Sequence, residues 1–157
     1  MIVSVPHTGT RSLHRILKIT NDRFYHFGQD DAVFRPRKEH IDFPVRDPLM
    51  TSLSWRAFGS GTSSTMIARY NMALDYFEDY EYGVTYHVME KLPVVEGKGP
   101  LKNLRQGWMD QVKRYVESGD SKDLQGLDDL RRLFKWLREP RAKEFFGQFY
   151  PEFWYLR

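Results

Sequence analysis

The chain opens on an unbroken apolar run, Ile2-Val3-Ser4-Val5, which stops at Pro6 and gives way to His7-Thr8-Gly9-Thr10-Arg11-Ser12. Leu13, Ile16 and Leu17 follow at helical spacing. A run without polar alternation suits a strand covered on both faces, so the pattern predicts a buried strand over 2–5 and a helix over 10–18. A second strand is predicted over 23–27 (RFYHF), entered through Asn21-Asp22, and a third over 40–45 (HIDFPV). Between them, 29–38 reads as irregular, because Pro36 limits any helix. Pro44 has no N–H for a ladder bond, which predicts a sheet edge or a strand end there.

Asp47-Pro48 carries an N-cap residue followed by proline at the first helical position, so a helix is predicted from 48 to about 58. After the loop 59–64, Met66, Tyr70, Ala73, Leu74 and Phe77 mark an amphipathic helix. Residues 84–92 (VTYHVMEKL) read as a fourth strand that runs into Pro93. Past Gly97-Lys98-Gly99-Pro100 the periodicity is helical. Leu104, Trp108, Val112 and Tyr115 share one face, and Leu127, Leu130, Phe134 and Leu137 another. Residues 145–155 form a dense aromatic patch that reads as core or as a partner surface. The order β-α-β-β-α-α-β-α-α predicts an α/β fold with a small, mainly parallel sheet and a helical C-terminal half. No internal repeat is visible. At 157 residues the expectation is one domain over 1–157, with an α/β part at 1–92 and a helical part at 100–157.

Composition narrows the chemistry. The chain has no cysteine, which excludes disulfides, thiolate metal sites and cysteine nucleophiles and fits a reducing compartment. A net charge of +3 is only mildly basic and suits an anionic small ligand as well as weak nucleic-acid contact. No stretch approaches the roughly 18 apolar residues of a membrane span, so a cytoplasmic protein without membrane or nucleic-acid partners is expected.

The residues with chemical potential lie at strand ends. The loop from Pro6 to Ser12 has one glycine and no lysine, so it is not the phosphate loop of a nucleoside triphosphatase. A glycine flanked by hydroxyls at a helix start suits a single phosphate; a plain strand-to-helix turn is the other reading. Arg46 stands where a strand meets a capped helix, with Ser54 eight residues on. A guanidinium there suits a second phosphate, or else a surface ion pair with Asp47 or Glu39. His26 ends its strand and titrates near neutrality when unperturbed. It reads as a general base or as a half-buried structural histidine. Glu90 reads as a strand-end charge or a second carboxylate near the site, whereas His14, His40 and His87 read as ordinary helix or strand residues. Arg131, Arg132 and Arg138 form a solvated helix face or a seat for an acidic acceptor.

Taken in order, these stretches resemble the sulfotransferases that use 3′-phosphoadenosine 5′-phosphosulfate (PAPS). That family has Pro-Lys-Ser-Gly-Thr-Thr-Trp between its first strand and helix, matched here by Pro6-His7-Thr8-Gly9-Thr10-Arg11-Ser12. It has Arg-Asn-Pro with a serine eight residues after the arginine, matched by Arg46-Asp47-Pro48 and Ser54. Its strand Val-x-Tyr-x-x-Tyr-Glu-Asp-Leu aligns without a gap to Val84-Thr85-Tyr86-His87-Val88-Met89-Glu90-Lys91-Leu92. Its general-base histidine corresponds to His26. The resemblance spans roughly residues 2–92 and implies a P-loop-type three-layer fold.

It further implies that His7, Thr8, Gly9, Thr10, Arg11 and Ser12 hold the 5′-phosphosulfate, that Arg46 and Ser54 hold the 3′-phosphate, and that His26, His7 and Arg11 take part in transfer. PAPS would be the donor and 3′,5′-ADP the product, with no metal and an acceptor that is a small molecule, glycan or peptide. The chain departs from the pattern at His7, which replaces the family's lysine. A protonated His7, or Arg11 or Lys18, would then supply that charge. Met89 replaces the tyrosine near the adenine, leaving Trp55 or a C-terminal aromatic to stack on it. Gly97-Lys98-Gly99 is a faint counterpart of the family's late Arg-Lys-Gly loop. Two alternatives stand beside the transferase: a non-catalytic nucleotide-binding module, and a P-loop small-molecule kinase.

Overall fold

The computed structural model describes residues 1–18, 24–28, 38–59, 61–93 and 106–156. Residues 29–37 of the expected irregular segment 29–38, the first residue of the second predicted strand, Gly97-Lys98-Gly99 and Leu104 lie outside them. The chain forms two compact units, one from Met1–Arg46 and Thr65–Lys102 and the other from Asp47–Ser64 and Asn103–Arg157.

The first unit is built on four strands, β1 (Ile2–Ser4), β2 (Phe24–His26), β3 (Ile41–Val45) and β4 (Val84–Val88), with helices α1 (Thr10–Leu17) and α3 (Ser63–Glu78). The strands are all parallel and ordered β2-β1-β3-β4. From β1 the chain crosses through α1 to β2 on one side, and β3 then takes the opposite side. Right-handed crossovers in opposite directions put their helices on opposite faces, and the packing follows this. Ile2 shares its core with Leu13 of α1 and with Met89. Phe43, one register position away from the residue opposite Ile2, faces the other way. It meets Tyr70 and Phe77 of α3 and Tyr86 of β4 edge-to-face, at 6.4, 5.0 and 6.0 Å.

Two strand expectations change. Pro44 is the penultimate residue of β3, and β3 is an interior strand, so of the two expected placements it lies near the strand end and not at a sheet edge. Ile41 donates toward Gly83, just before β4, while Asp42 donates to the Met1 carbonyl on the β1 side. The next donor position on that side is Pro44. Its missing N–H therefore falls where the β1–β3 ladder is down to a single registered pair, Ile2 with Asp42, and the β4 ladder loses nothing. The fourth strand also ends earlier than expected, at Val88, and continues as a 3₁₀ turn over Met89–Lys91. Its ladder partner β3 stops at Val45, opposite Val88. Met89 turns into the core on the α1 face.

The second unit is helical: α2 (Pro48–Ala57), α4 (Gln106–Ser118), α5 (Leu130–Leu137) and α6 (Pro140–Gly147), with 3₁₀ turns at Ser121–Leu124 and Trp154–Leu156. Asp47 caps α2 as expected, accepting from the Leu49 N–H at 2.8 Å, and its Oδ1 also accepts from the Tyr155 hydroxyl at 2.9 Å. Asp129 ties α2 to the start of α5, taking Arg56 at 2.5 Å and the Ser63 N–H and hydroxyl at 2.9 Å each. Phe145, Phe146 and Tyr155 of the aromatic patch are buried, so its core reading holds. Among the described residues no helix is long and apolar enough to cross a membrane.

Phe43 is fully enclosed. Phe43→Ala is expected to cost about 3–5 kcal/mol, the range for removing a buried aromatic, measured by urea unfolding. The reporter should be a tyrosine signal from the sheet unit.

Candidate functional site

In open α/β sheets, ligands collect beyond the C-terminal ends of the strands, where the strand order reverses. Here that point lies between β1 and β3. Two of the sequence motifs meet there.

After β1 the backbone must turn back into α1 within a few residues, and it does so through left-handed conformations at His7 (φ 66) and Gly9 (φ 98). Gly9 is demanded first by its backbone angle. Its φ suits glycine, and a Cβ there would come within 2.7 Å of Met89 Cε. His7 pays the steric penalty of a non-glycine residue in this region. Its carbonyl accepts from Arg46 Nη1 at 2.9 Å, and Arg46 is only 5% exposed. The arginine that follows β3 thus clamps the loop that follows β1.

The hydroxyls behave differently from expectation. The Thr8 hydroxyl points inward and donates to the Val5 carbonyl at 2.7 Å. Thr10 Oγ1 lies 2.7 Å from Ser4 Oγ. Both threonines are buried, so they shape the turn, and the surface offered to an anion is the first turn of α1. No side chain caps that turn. Arg11 is exposed there and Ser12 is half-buried. The start of a helix carries inward-facing N–H groups and partial positive charge.

His26 is the last residue of β2, opposite Ser4 in register. Its Nδ1 lies 2.9 Å from Ser4 Oγ, and it is half-buried. Phe27, on the opposite face, packs edge-to-face on Tyr76 and Phe77 of α3. Just beyond, Gly28 has φ 78, and a Cβ there would overlap the Arg69 guanidinium at 1.6 Å. The glycine therefore seats a cation of α3 against the end of β2.

His7 does not carry the charge expected of it. Burial, then the charge of Arg46, then His26 lower its pKa to about 4, so in neutral solution it is an uncharged imidazole. Lys18 is no substitute, since it caps the far end of α1, about 12 Å from the loop at 1.5 Å per residue. Arg11 and Arg46 remain as the cations at the loop.

The structure brings together His7, Gly9, Thr10, Arg46 and His26, with Ser4 and Met89 between them. Ser54 falls in α2, in the helical unit, and is 1% exposed. Trp55 beside it is 2% exposed, too enclosed to offer a stacking face. Glu90 is exposed on the 3₁₀ turn. His87 pairs with Asp42 at 2.8 Å and His40 with Thr85 at 2.6 Å, as structural histidines do. Arg131, Arg132 and Arg138 are exposed. With Lys135, Asp128, Tyr115 and Phe134 they line an open cleft of about 470 Å³.

Sequence reasoning missed Ser4 and Arg69. Ser4 had a signal, a lone hydroxyl in an otherwise apolar strand. Arg69 had only the glycine that faces it. Comparison with protein-family models, with curated proteins and with solved structures gives no match.

The depressed His7 pKa has a consequence for stability. The unfolded chain binds the proton near 6.5 and the folded loop near 4, so folding is penalised as pH falls through that interval and unaffected above it. His7→Asn, which tolerates the left-handed backbone, is expected to flatten the decline. Unfolding curves across that range, with an NMR titration of His7, check it.

Proposed function

We propose that the chain binds a nucleotide through its phosphates at the ends of β1 and β3, and that it transfers a sulfuryl group from PAPS to a hydroxyl or amine of an acceptor. The observation that carries this reading is the 2.9 Å bond from Arg46 Nη1 to the His7 carbonyl. It joins the two motifs on which the resemblance to PAPS-dependent sulfotransferases rests.

In this reading the start of α1, with Gly9 uncapped and Arg11 exposed, takes the 5′-phosphate side of the donor, and Arg46 takes the 3′-phosphate. The donor supplies the electrophilic sulfur and a phosphate leaving group. His26 accepts the proton of the attacking hydroxyl or amine. Charge growing on the leaving phosphate is held by the α1 amides and by Arg11, because His7 is uncharged at neutral pH.

That uncharged His7 favours a second reading. A site without the lysine at this position keeps the phosphate cradle but loses a cation at the leaving group, as in a nucleotide-binding module that does not turn over. The two readings share a ligand and differ in catalysis.

Calorimetric titration separates them from a kinase. 3′,5′-ADP is expected to bind with EDTA present, and ATP with Mg²⁺ to bind more weakly. The reverse preference would overturn the proposal. If PAPS is consumed, His26→Ala should lower turnover by roughly 10²–10⁴-fold and leave 3′,5′-ADP affinity unchanged. Binding without turnover in the unaltered chain would select the second reading.

A further inference from the structure

We propose that the cleft beside α5 in the helical unit is a docking site for an acidic peptide segment with carboxylates at alternate positions. The inference stands apart from the donor-binding reading and uses none of its residues.

α5 has the sequence LRRLFKWL, with Arg138 as its C-cap. Leu130, Leu133, Phe134, Trp136 and Leu137 are buried, and every exposed position from 131 to 138 is a cation: Arg131, Arg132, Lys135 and Arg138. A solvated helix face ordinarily intersperses the two signs, and the start of this one works against its own helix. Arg131 and Arg132 lie in the first turn, where the helix dipole disfavours positive charge, and no acidic residue stands there to offset them. Arg131 and Lys135 are a like-charged pair at i, i+4, which is also unfavourable. Among the described residues none of the four cations pairs with a carboxylate. Arg132 donates to Ser64 Oγ at 2.9 Å, and Arg138 donates to the Phe134 and Leu156 carbonyls at 3.4 and 3.1 Å. These neutral acceptors hold two guanidiniums in place and leave their charge uncompensated.

The four cations line the open cleft of about 470 Å³ together with Tyr115, Phe134 and Asp128. Arg131, Lys135 and Arg138, at i, i+4 and i+7, make a row about 10 Å long at 1.5 Å per residue, with roughly 5–6 Å between neighbours. In an extended peptide, side chains two apart share a face at a spacing of about 6.6 Å, so carboxylates at alternate positions run in step with the row. An arginine fork engages a carboxylate through two parallel bonds. The rest of the cleft favours a peptide over a nucleic acid. Single strands bind by stacking their bases on open aromatic faces, but Phe134 is only 3% exposed and already packs on Tyr115 at 6.0 Å and Tyr155 at 5.7 Å. Asp128 would repel an unbroken chain of phosphates, whereas a peptide can set a lysine or its own N-terminal amine against it.

Fluorescence anisotropy on the full chain tests the proposal. The probe is a fluorescein-labelled peptide that alternates glutamate and serine behind an N-terminal lysine; a peptide alternating lysine and serine, and single-stranded oligothymidylate, are the comparisons. The glutamate peptide is expected to bind saturably, to weaken as salt rises and to bind more tightly than either comparison. Arg131→Glu combined with Lys135→Glu should lower its affinity at least roughly 10-fold, the equivalent of one charged hydrogen bond. The urea midpoint should not fall, since an acidic side chain suits the start of a helix. Lys122→Glu combined with Lys143→Glu, at exposed positions outside the cleft, changes the net charge equally and should leave the affinity nearly unchanged. Equal losses in the two double variants, no saturable binding, or tighter binding of the oligothymidylate overturns the proposal. Self-association of the chain without peptide, abolished by the cleft variant, would give the cleft to a second copy and overturn it as well.

Discussion

The sheet unit depends on one short stretch of backbone. Between the end of β1 and the start of α1 there are five residues, and the chain reverses through them only by entering left-handed conformations at His7 and Gly9. Everything at the site follows from holding that turn. Arg46 grips its carbonyl, Thr8 closes it from inside, and Met89 fills the space that a side chain at Gly9 would need. The buried Arg46 guanidinium sets a permanent positive charge beside that loop, and its proposed use is a phosphate.

Much of this was legible. The unbroken apolar run at 2–5, the Asp-Pro helix start at 47–48 and the alternation of strand and helix specified a parallel sheet, because a strand that shows no polar face has to be covered on both. His26 could be put at a strand end, because the aromatic run over 23–27 reads as a strand. The misreadings were of another kind. Pro44 read as an edge or strand-end residue, and the edge half of that reading failed because its lost donor was counted without knowing which neighbour it faced. Residues 89–92 looked like strand because hydrophobicity does not say where the partner strand ends. Ser4 passed as part of an apolar run, although a hydroxyl buried among Ile2, Val3 and Val5 needs a partner. Its partners, His26 and Thr10, lie 22 and 6 residues away.

Electrostatics alters the chemistry most. From the residue type alone, His7 reads as a titratable cation able to replace a lysine. In place it is half-buried and adjoins a permanent guanidinium, and both effects oppose protonation. The positive character of the loop therefore comes from backbone amides and from arginines, which do not titrate, and the site should hold its anion over a wide pH range. Stability, through His7, falls in mild acid.

The central claim is that the loop after β1 and the start of α1 receive a nucleotide phosphate. Titration of the ¹⁵N-labelled chain with 3′,5′-ADP, followed by ¹H–¹⁵N backbone spectra, tests it most directly. The account predicts that the largest and earliest shifts fall on the amides from Thr8 to Ser12, with the Arg46 side chain moving in step. Saturable shifts confined to the exposed basic face of α5, with the loop amides unmoved, would contradict it.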